Sequence, residues 1–266
     1  MSVEADLAAG ALVETLVHLV SAIPGGWTRA KGGGLAAVTG VPVPTLNGVW
    51  VERVDADAED VVDLLDEVAA TGLPFCLQFR QSGADRLADL AASRGMTPDD
   101  GTPLMVVQDP GQLSAAQAVS GLMIRELLPE EAQLHARLAA AGFEAPEEVF
   151  LQLMTPPVLA APGVRCYLGE VGGQAVTTGL GIKLGSYVAI FNIATPPEHR
   201  RRGYGAAITA RAVADGLVAG AKWSWLQSSS AGYRIYERLG FRTVETWPCW
   251  LATTPPGAGP IVMEKR

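Results

Sequence analysis

His199-Arg200-Arg201-Arg202-Gly203-Tyr204-Gly205-Ala206-Ala207 follows an apolar, strand-like run and opens a segment rich in Ala and Val. Glycines at 203 and 205 let the backbone curl with no side chain in the way. Successive N–H groups from Arg201 to Ala206 can then face one small cavity at the positive end of a helix dipole, which suits a diphosphate. The plain alternative is a basic turn that only caps a helix. Two other phosphate-binding patterns fail on the residues present. A Walker-type loop needs Lys-Ser or Lys-Thr after its last Gly, where Ala206-Ala207 stand; a dinucleotide loop needs a third Gly or Ala near 208 and an acid at the end of the next strand, where Ile208 and a neutral run occur.

Downstream, residues 221–226 form an apolar run with two Trp that reads as a buried strand. Gln227-Ser228-Ser229-Ser230 breaks it, with Ser230 expected as the cap of a helix over 231–239 that Gly240 ends, and Phe241 begins another strand. Taken together, Ile193-Ala194-Thr195-Pro196, the Arg-x-x-Gly-x-Gly of 200–205, the serine-rich break and Tyr236-x-x-x-Gly240-Phe241 resemble the GCN5-related N-acetyltransferases, or GNAT enzymes. They stand in that family's order and at its spacing.

Upstream, residues 119–126 read as a strand, 129–141 and 145–154 as helices, and 164–171, 174–184 and 187–194 as strands joined by turns at Gly172-Gly173 and Gly185-Ser186. This order resembles a complete GNAT domain, an α/β (α+β) fold whose mixed, mostly antiparallel central sheet is flanked by helices. The first half carries a fainter echo: strands at 49–54 and 75–78, helices at 58–70 and 84–94, then Gly95-Met96 and a strand at 103–107. Its loop, Asp55-Ala56-Asp57-Ala58, has no glycine and would repel a diphosphate, and Ala91 stands where Tyr236 stands in the second half. The expected organisation is two tandem GNAT-like domains. Residues 1–115 would be a degenerate copy without a cofactor loop, 116–266 the catalytic domain, with the boundary near 108–117. An unrelated α/β domain is the alternative for the first half.

The resemblance implies direct transfer of an acetyl group from acetyl-CoA to a primary amine, releasing CoA. Backbone groups near Ile193, Ala194 and Thr195 would stabilise the oxyanion, amides of 201–206 would hold the pyrophosphate with charge from Arg200, Arg201 and Arg202, Ser230 would face the pantetheine arm, and Tyr236 would protonate the departing sulfur. Many family members carry a Glu on the strand before the loop as general base. Here that strand reads Val188-Ala189-Ile190-Phe191-Asn192-Ile193. A water chain, a carboxylate from elsewhere or an acceptor already neutral are the ways left open. The acceptor wall is expected over residues 141–150, with Phe143, Phe150, Met154, Trp247 and Trp250. The missing Glu also allows a second reading, a non-catalytic acyl-CoA-binding regulatory module.

Composition fits these readings. Over 266 residues, 48% are hydrophobic and 18% charged, as in a packed chain of two domains. The net charge of −8 is uneven: residues 1–115 carry 6 Lys or Arg against 16 Asp or Glu, and the remainder 14 against 12. An anionic ligand is therefore drawn to the second half. No basic stripe with interleaved aromatics suggests nucleic acid. Cys76, Cys166 and Cys249 are odd in number and dispersed, and His18, His135 and His199 are scattered, so neither a disulfide framework nor a metal site is expected. Apolar stretches are interrupted at Glu14, Pro156-Pro157 and Lys183, and the N-terminus is acidic, so no membrane span and a cytoplasmic location are expected. The partner is a small-molecule or peptide amine acceptor, and a homodimer stays open.

Overall fold

The computed structural model describes residues 3–108, 113 and 119–252, which fall into two compact units. The expected boundary near 108–117 lies mostly outside the described residues.

In the first unit, helix α1 (Val3–Ala22) is followed by the antiparallel strands β1 (Trp27–Lys31), β2 (Gly34–Val38) and β3 (Asn47–Val51). Helix α2 (Ala58–Ala69) leads to β4 (Phe75–Phe79), parallel to β3, and α3 (Ala84–Ser93) leads to β5 (Thr97–Val107), of which 97–103 belong here. The last described strand, β11 (Arg242–Ala252), returns to this unit from Val244 onward and lies between β4 and β5, antiparallel to β4. The amphipathic α2 buries Val61, Leu64, Leu65 and Val68 against Val49, Val51, Leu77 and Phe79, and burial of each such side chain is worth about 1.5–3 kcal/mol.

Two features here escape the sequence reading: α1 and the β1–β2 hairpin. Helix α1 is long and apolar enough, by length and composition alone, to cross a membrane, so Glu14 does not interrupt it as expected. In the fold it buries Ala8, Leu12, Thr15 and Leu19, and its Asp6 pairs with the buried Arg80, which also binds Glu245 at 2.8 Å.

The second unit takes residues 104–107 of β5, then β6 (Leu122–Leu127), α4 (Ala132–Phe143), α5 (Glu147–Leu153), the short α6 (Pro156–Leu159), β7 (Val164–Val171), β8 (Gln174–Leu184), β9 (Tyr187–Ala194), α7 (Tyr204–Val218), β10 (Trp223–Gln227) and α8 (Ser230–Leu239). Its strand order is β5-β10-β9-β8-β7-β6. Strands β6 to β9 are antiparallel neighbours, β9 and β10 are parallel, and β10 and β5 antiparallel. The expected spans of β7, β8 and β9 agree with the structure, because paired glycines and Gly-Ser mark tight hairpins. The expected helix at 145–154 is shorter. Pro146, extended at ψ 138, holds its start back to Glu147. The core under α7 gathers Tyr167, Val188, Ile190, Ile208, Ala212, Val213 and Leu226, with Met105, Val107 and Phe241.

Candidate functional site

Strands β9 and β10 begin as a parallel pair, Tyr187 opposite Trp223, Val188 opposite Ser224 and Ala189 opposite Trp225, and the pairing ends there. Beyond Ala189, β9 continues to Ala194 paired only with β8. The two strands thus open a fork in the sheet. Between the pairs Leu180–Phe191 and Thr178–Ala194, the two residues Asn192 and Ile193 face the single Gly179, and Asn192 takes φ 50. This is a β-bulge with its first residue left-handed, a conformation Asn tolerates better than most side chains. The bulge takes backbone groups of β9 out of the ladder at the strand end where Ile193, Ala194 and Thr195 were expected to act. Asn192 itself donates from Nδ2 to the Met154 sulfur at 3.5 Å and carries no carboxylate.

After β9 the chain makes a short 3-10 turn over Pro197–His199, passes Arg201 at φ 63 and reaches Gly203 at φ 83. Gly203 is the N-cap of α7. It offers no side-chain cap, and the first turn holds no acid. The first intrahelical donor is Ala207, to the Gly203 carbonyl at 3.0 Å. Among the described residues, the N–H groups of Gly203, Tyr204, Gly205 and Ala206 have no partner. A helix N-terminus with unfilled donors and no neutralising carboxylate attracts anions. Gly203 is needed because a side chain at that φ is strained, and its Cβ would also come within 3.3 Å of Val119.

The three arginines are not equivalent. Arg200 donates from Nε to the Thr195 carbonyl at 3.2 Å and from Nη2 to the Gly142 carbonyl at 2.9 Å, and pairs with Glu144 at 2.8 Å. Arg202 reaches the Glu198 carbonyl at 3.5 Å, and Arg201 forms no ion pair among the described residues. Thr177, buried on β8 and passed over in the sequence, donates to the Ala194 carbonyl at 2.9 Å and meets the Thr195 hydroxyl at 2.9 Å, so the strand end is held from both sides.

On α8, the cap expected at Ser230 belongs to its neighbour. Ser229 is extended at ψ 161 and its hydroxyl accepts the Gly232 N–H at 3.2 Å, whereas Ser230 is the first helical residue and is exposed. In the run of three serines, the one with extended backbone can turn its oxygen to the free amides. One turn further on, the Tyr236 ring lies against Gly232 and meets Phe241 edge-on at 6.1 Å. Tyr236, Ile193 and Ala206 pack against the same buried cluster. Burial pushes the Tyr236 phenol up to about 12, so it stays neutral across the ordinary pH range.

Of the remaining candidates, His135 is fully buried on α4, its Nδ1 2.7 Å from the Thr178 hydroxyl and 3.3 Å from the Cys166 sulfur. Burial pulls the imidazole down to about 4 and pushes the Cys166 thiol up to about 12, so both are neutral packing groups. All three cysteines are buried and none forms a disulfide among the described residues. Phe143 and Phe150 stack at 5.5 Å and join α4 to α5. Trp247 and Trp250, expected beside the acceptor, lie in the part of β11 that belongs to the first unit, where Trp247 is buried and Trp250 packs on that unit's core. Among the described residues no group of three His, Cys, Asp or Glu side chains is placed to hold a metal.

The first unit contains the corresponding junction in closed form. Strands β3 and β4 stay paired to their ends, through Val51 opposite Phe79. The N–H groups of Glu52 and Arg53 are taken by the Gly33 carbonyl at 3.1 and 3.2 Å, and α2 is capped by the Asp57 carboxylate, which accepts the Glu59 N–H at 2.8 Å. An anion brought to the start of α2 would meet the Asp57 carboxylate.

Residues 162–243 match the model of the acetyltransferase (GNAT) domain. The whole chain is similar to a GCN5-related N-acetyltransferase from Kribbella flavida, with 21% identity, 97% of each chain covered and a TM-score of 0.71. It is also similar to a GCN5-related N-acetyltransferase from Sphaerobacter thermophilus (15% identity, 86% of this chain and 83% of that one, TM-score 0.60) and to a tandem GNAT protein from the clavulanic acid biosynthesis pathway (15%, 95% and 97%, TM-score 0.59). No curated protein matches the chain. The fold is therefore the tandem GNAT fold.

Proposed function

We propose that the second unit is an N-acetyltransferase that takes acetyl-CoA and passes its acetyl group to a primary amine by direct attack. The observation that carries this is the row of four unpartnered amides, Gly203 to Ala206, at the uncapped start of α7, beside the strand end freed by the β9–β10 fork and the Asn192 bulge. These amides would hold the pyrophosphate of the donor, with Arg201 and Arg202 adding charge at the rim. Freed backbone N–H groups of the bulged strand would stabilise the oxyanion that forms as the amine attacks the thioester carbon.

As the carbon–sulfur bond breaks, negative charge moves to sulfur. Tyr236 enters this step as a neutral phenol and serves as its acid, and its phenol, pushed up to about 12, is protonated wherever the amine is reactive. Asn192 takes no proton, so the strand supplies no general base, and the amine is expected to react in its neutral form.

The test is equilibrium binding of CoA to the purified chain, combined with a screen of amines that reads free thiol released from acetyl-CoA. Binding with amine-dependent thiol release supports the reading. Tight binding with no release from any amine favours the second reading, a regulatory acyl-CoA sensor, which the missing strand carboxylate at Asn192 permits. Absence of binding removes both.

A further inference from the structure

Arg200 opens the phosphate-loop motif, yet its guanidinium is directed at the protein. It binds the carbonyl of Thr195 at the end of β9, the carbonyl of Gly142 in the last turn of α4, and the carboxylate of Glu144, which stands just past that helix at φ 53. The cation thus sits on the negative end of the α4 dipole, where a positive charge is stabilising. Helix and strand touch at this point: a Cβ on Gly142 would lie 2.8 Å from that of Ala194 and 2.9 Å from the Thr195 nitrogen. Beyond Glu144 the chain turns through Pro146 into α5, held to α4 by the Phe143–Phe150 stack, while Met154 at the end of α5 receives the Asn192 amide from the bulge.

We infer that Arg200 and Glu144 form a strut that fixes the phosphate loop to the α4–α5 wall, so that Arg200 is a positioning residue for the donor site and couples occupation of the loop to the order of that wall. This rests on the reading of the second unit as an acyl-CoA binder. The chemistry separates the strut from direct phosphate contact by sign. If Arg200 gripped phosphate, Glu144 would be a competing carboxylate, and removing or reversing its charge would leave CoA binding unchanged or improve it. If Arg200 is a strut, loss of Glu144 loosens the loop and weakens binding.

The experiment measures affinity for CoA itself in the full chain and in Arg200→Ala, Glu144→Gln and Glu144→Lys, with thermal unfolding to establish that each variant is folded. Glu144→Lys and Arg200→Ala are each expected to bind of the order of tenfold more weakly, because a donor loop that is no longer preorganised must be ordered on binding. Glu144→Gln, which keeps an oxygen for the guanidinium, is expected to lose less. Amide hydrogen exchange supplies the readout that a merely structural role would not move. In the parent protein CoA is expected to slow exchange at Glu144 and Ala145, whose N–H groups bond the carbonyls of Ala141 and Ala140, and in Arg200→Ala it is expected not to. Parent-like or tighter binding by Glu144→Lys overturns the strut and leaves the donor site standing. Failure of the parent to bind CoA overturns the donor site, and the strut with it.

Discussion

Ala189 and Trp225 form the last rung between β9 and β10, and past them the two strands part while β9 alone runs on to Ala194. A parallel sheet that opens in this way exposes strand-end backbone inside the unit, where it would otherwise be spent on the ladder. The Asn192 bulge two residues before Ala194 and the Gly203 turn beyond it lie on the same stretch of chain. Fork, bulge and uncapped helix together make a polar backbone surface rimmed by Arg201 and Arg202. That surface governs what substitutions should do.

Main-chain shape is expected to matter more than any single arginine. Gly203→Val places a β-branched residue at φ 83, a conformation costing about 1–2 kcal/mol for L-residues, and turns the free amides away from one another. Its CoA affinity should fall by more than about tenfold, against a few-fold for Arg201→Ala, whose charge lies at the exposed rim. Gly205 is more permissive, since an added Cβ meets Ile193 at 3.4 Å and Thr195 at 3.8 Å, ordinary contact distances. Arg201 is itself held at φ 63, so Arg201→Gly should raise stability by up to about 1 kcal/mol. Titration calorimetry and thermal unfolding of the set check the ranking, and a Gly203→Val protein that binds like the parent would contradict it.

Removal of one hydroxyl separates binding from turnover. The Tyr236 hydroxyl makes no hydrogen bond among the described residues, so Tyr236→Phe should fold normally and bind CoA within about twofold of the parent, while kcat falls by about 10²-fold, the lower range for loss of a general acid. The pH profile follows from the same group. The acid is functional below its pKa of about 12, and the amine is reactive above its own, near 10.4 for a lysine-like acceptor. Log kcat/KM should therefore rise with pH from 6 to 10 with no descending limb. A descending limb near neutrality would show a different acid.

The legibility of this chain was uneven for physical reasons. The hairpins of β7 to β9 announce themselves because Gly172-Gly173 and Gly185-Ser186 punctuate apolar runs, and Gly203 marks the turn into α7 because left-handed backbone there leaves little choice of residue. Helix α1 was hidden because apolar residues surround its axis and no single stripe stands out. The bulge left one trace, a lone Asn at 192 in an apolar strand, and that trace read as a missing base instead of a left-handed turn. The return of β11 to the first unit, with Trp247 and Trp250, is a long-range pairing with no local signal at all.

The cap on α8 gives a stability test independent of ligand. Ser229→Ala removes the oxygen that accepts the Gly232 N–H and should cost about 1 kcal/mol, whereas Ser230→Ala changes an exposed first-turn residue and should cost nearly nothing. Chemical denaturation of the two variants checks this, and equal losses would return the cap to Ser230.

One equivalent of CoA per chain is expected, not two. In the first unit the amides after β3 are already committed, Glu52 and Arg53 to the Gly33 carbonyl, and Asp57 places a carboxylate on the start of α2, where a phosphate would otherwise sit. A phosphate there would meet like charge, and the Glu59 donor already taken by that carboxylate. Asp57→Ala removes the charge and the cap, and should destabilise the protein by about 1 kcal/mol without creating a second site, because β3 and β4 remain paired through Val51 and Phe79 and leave no freed strand end. Calorimetric stoichiometry on the parent and on Asp57→Ala decides it. A second equivalent in the parent would mean that the closed junction opens, and a second equivalent only in Asp57→Ala would mean that the carboxylate alone, not the unbroken pairing, keeps the first unit empty.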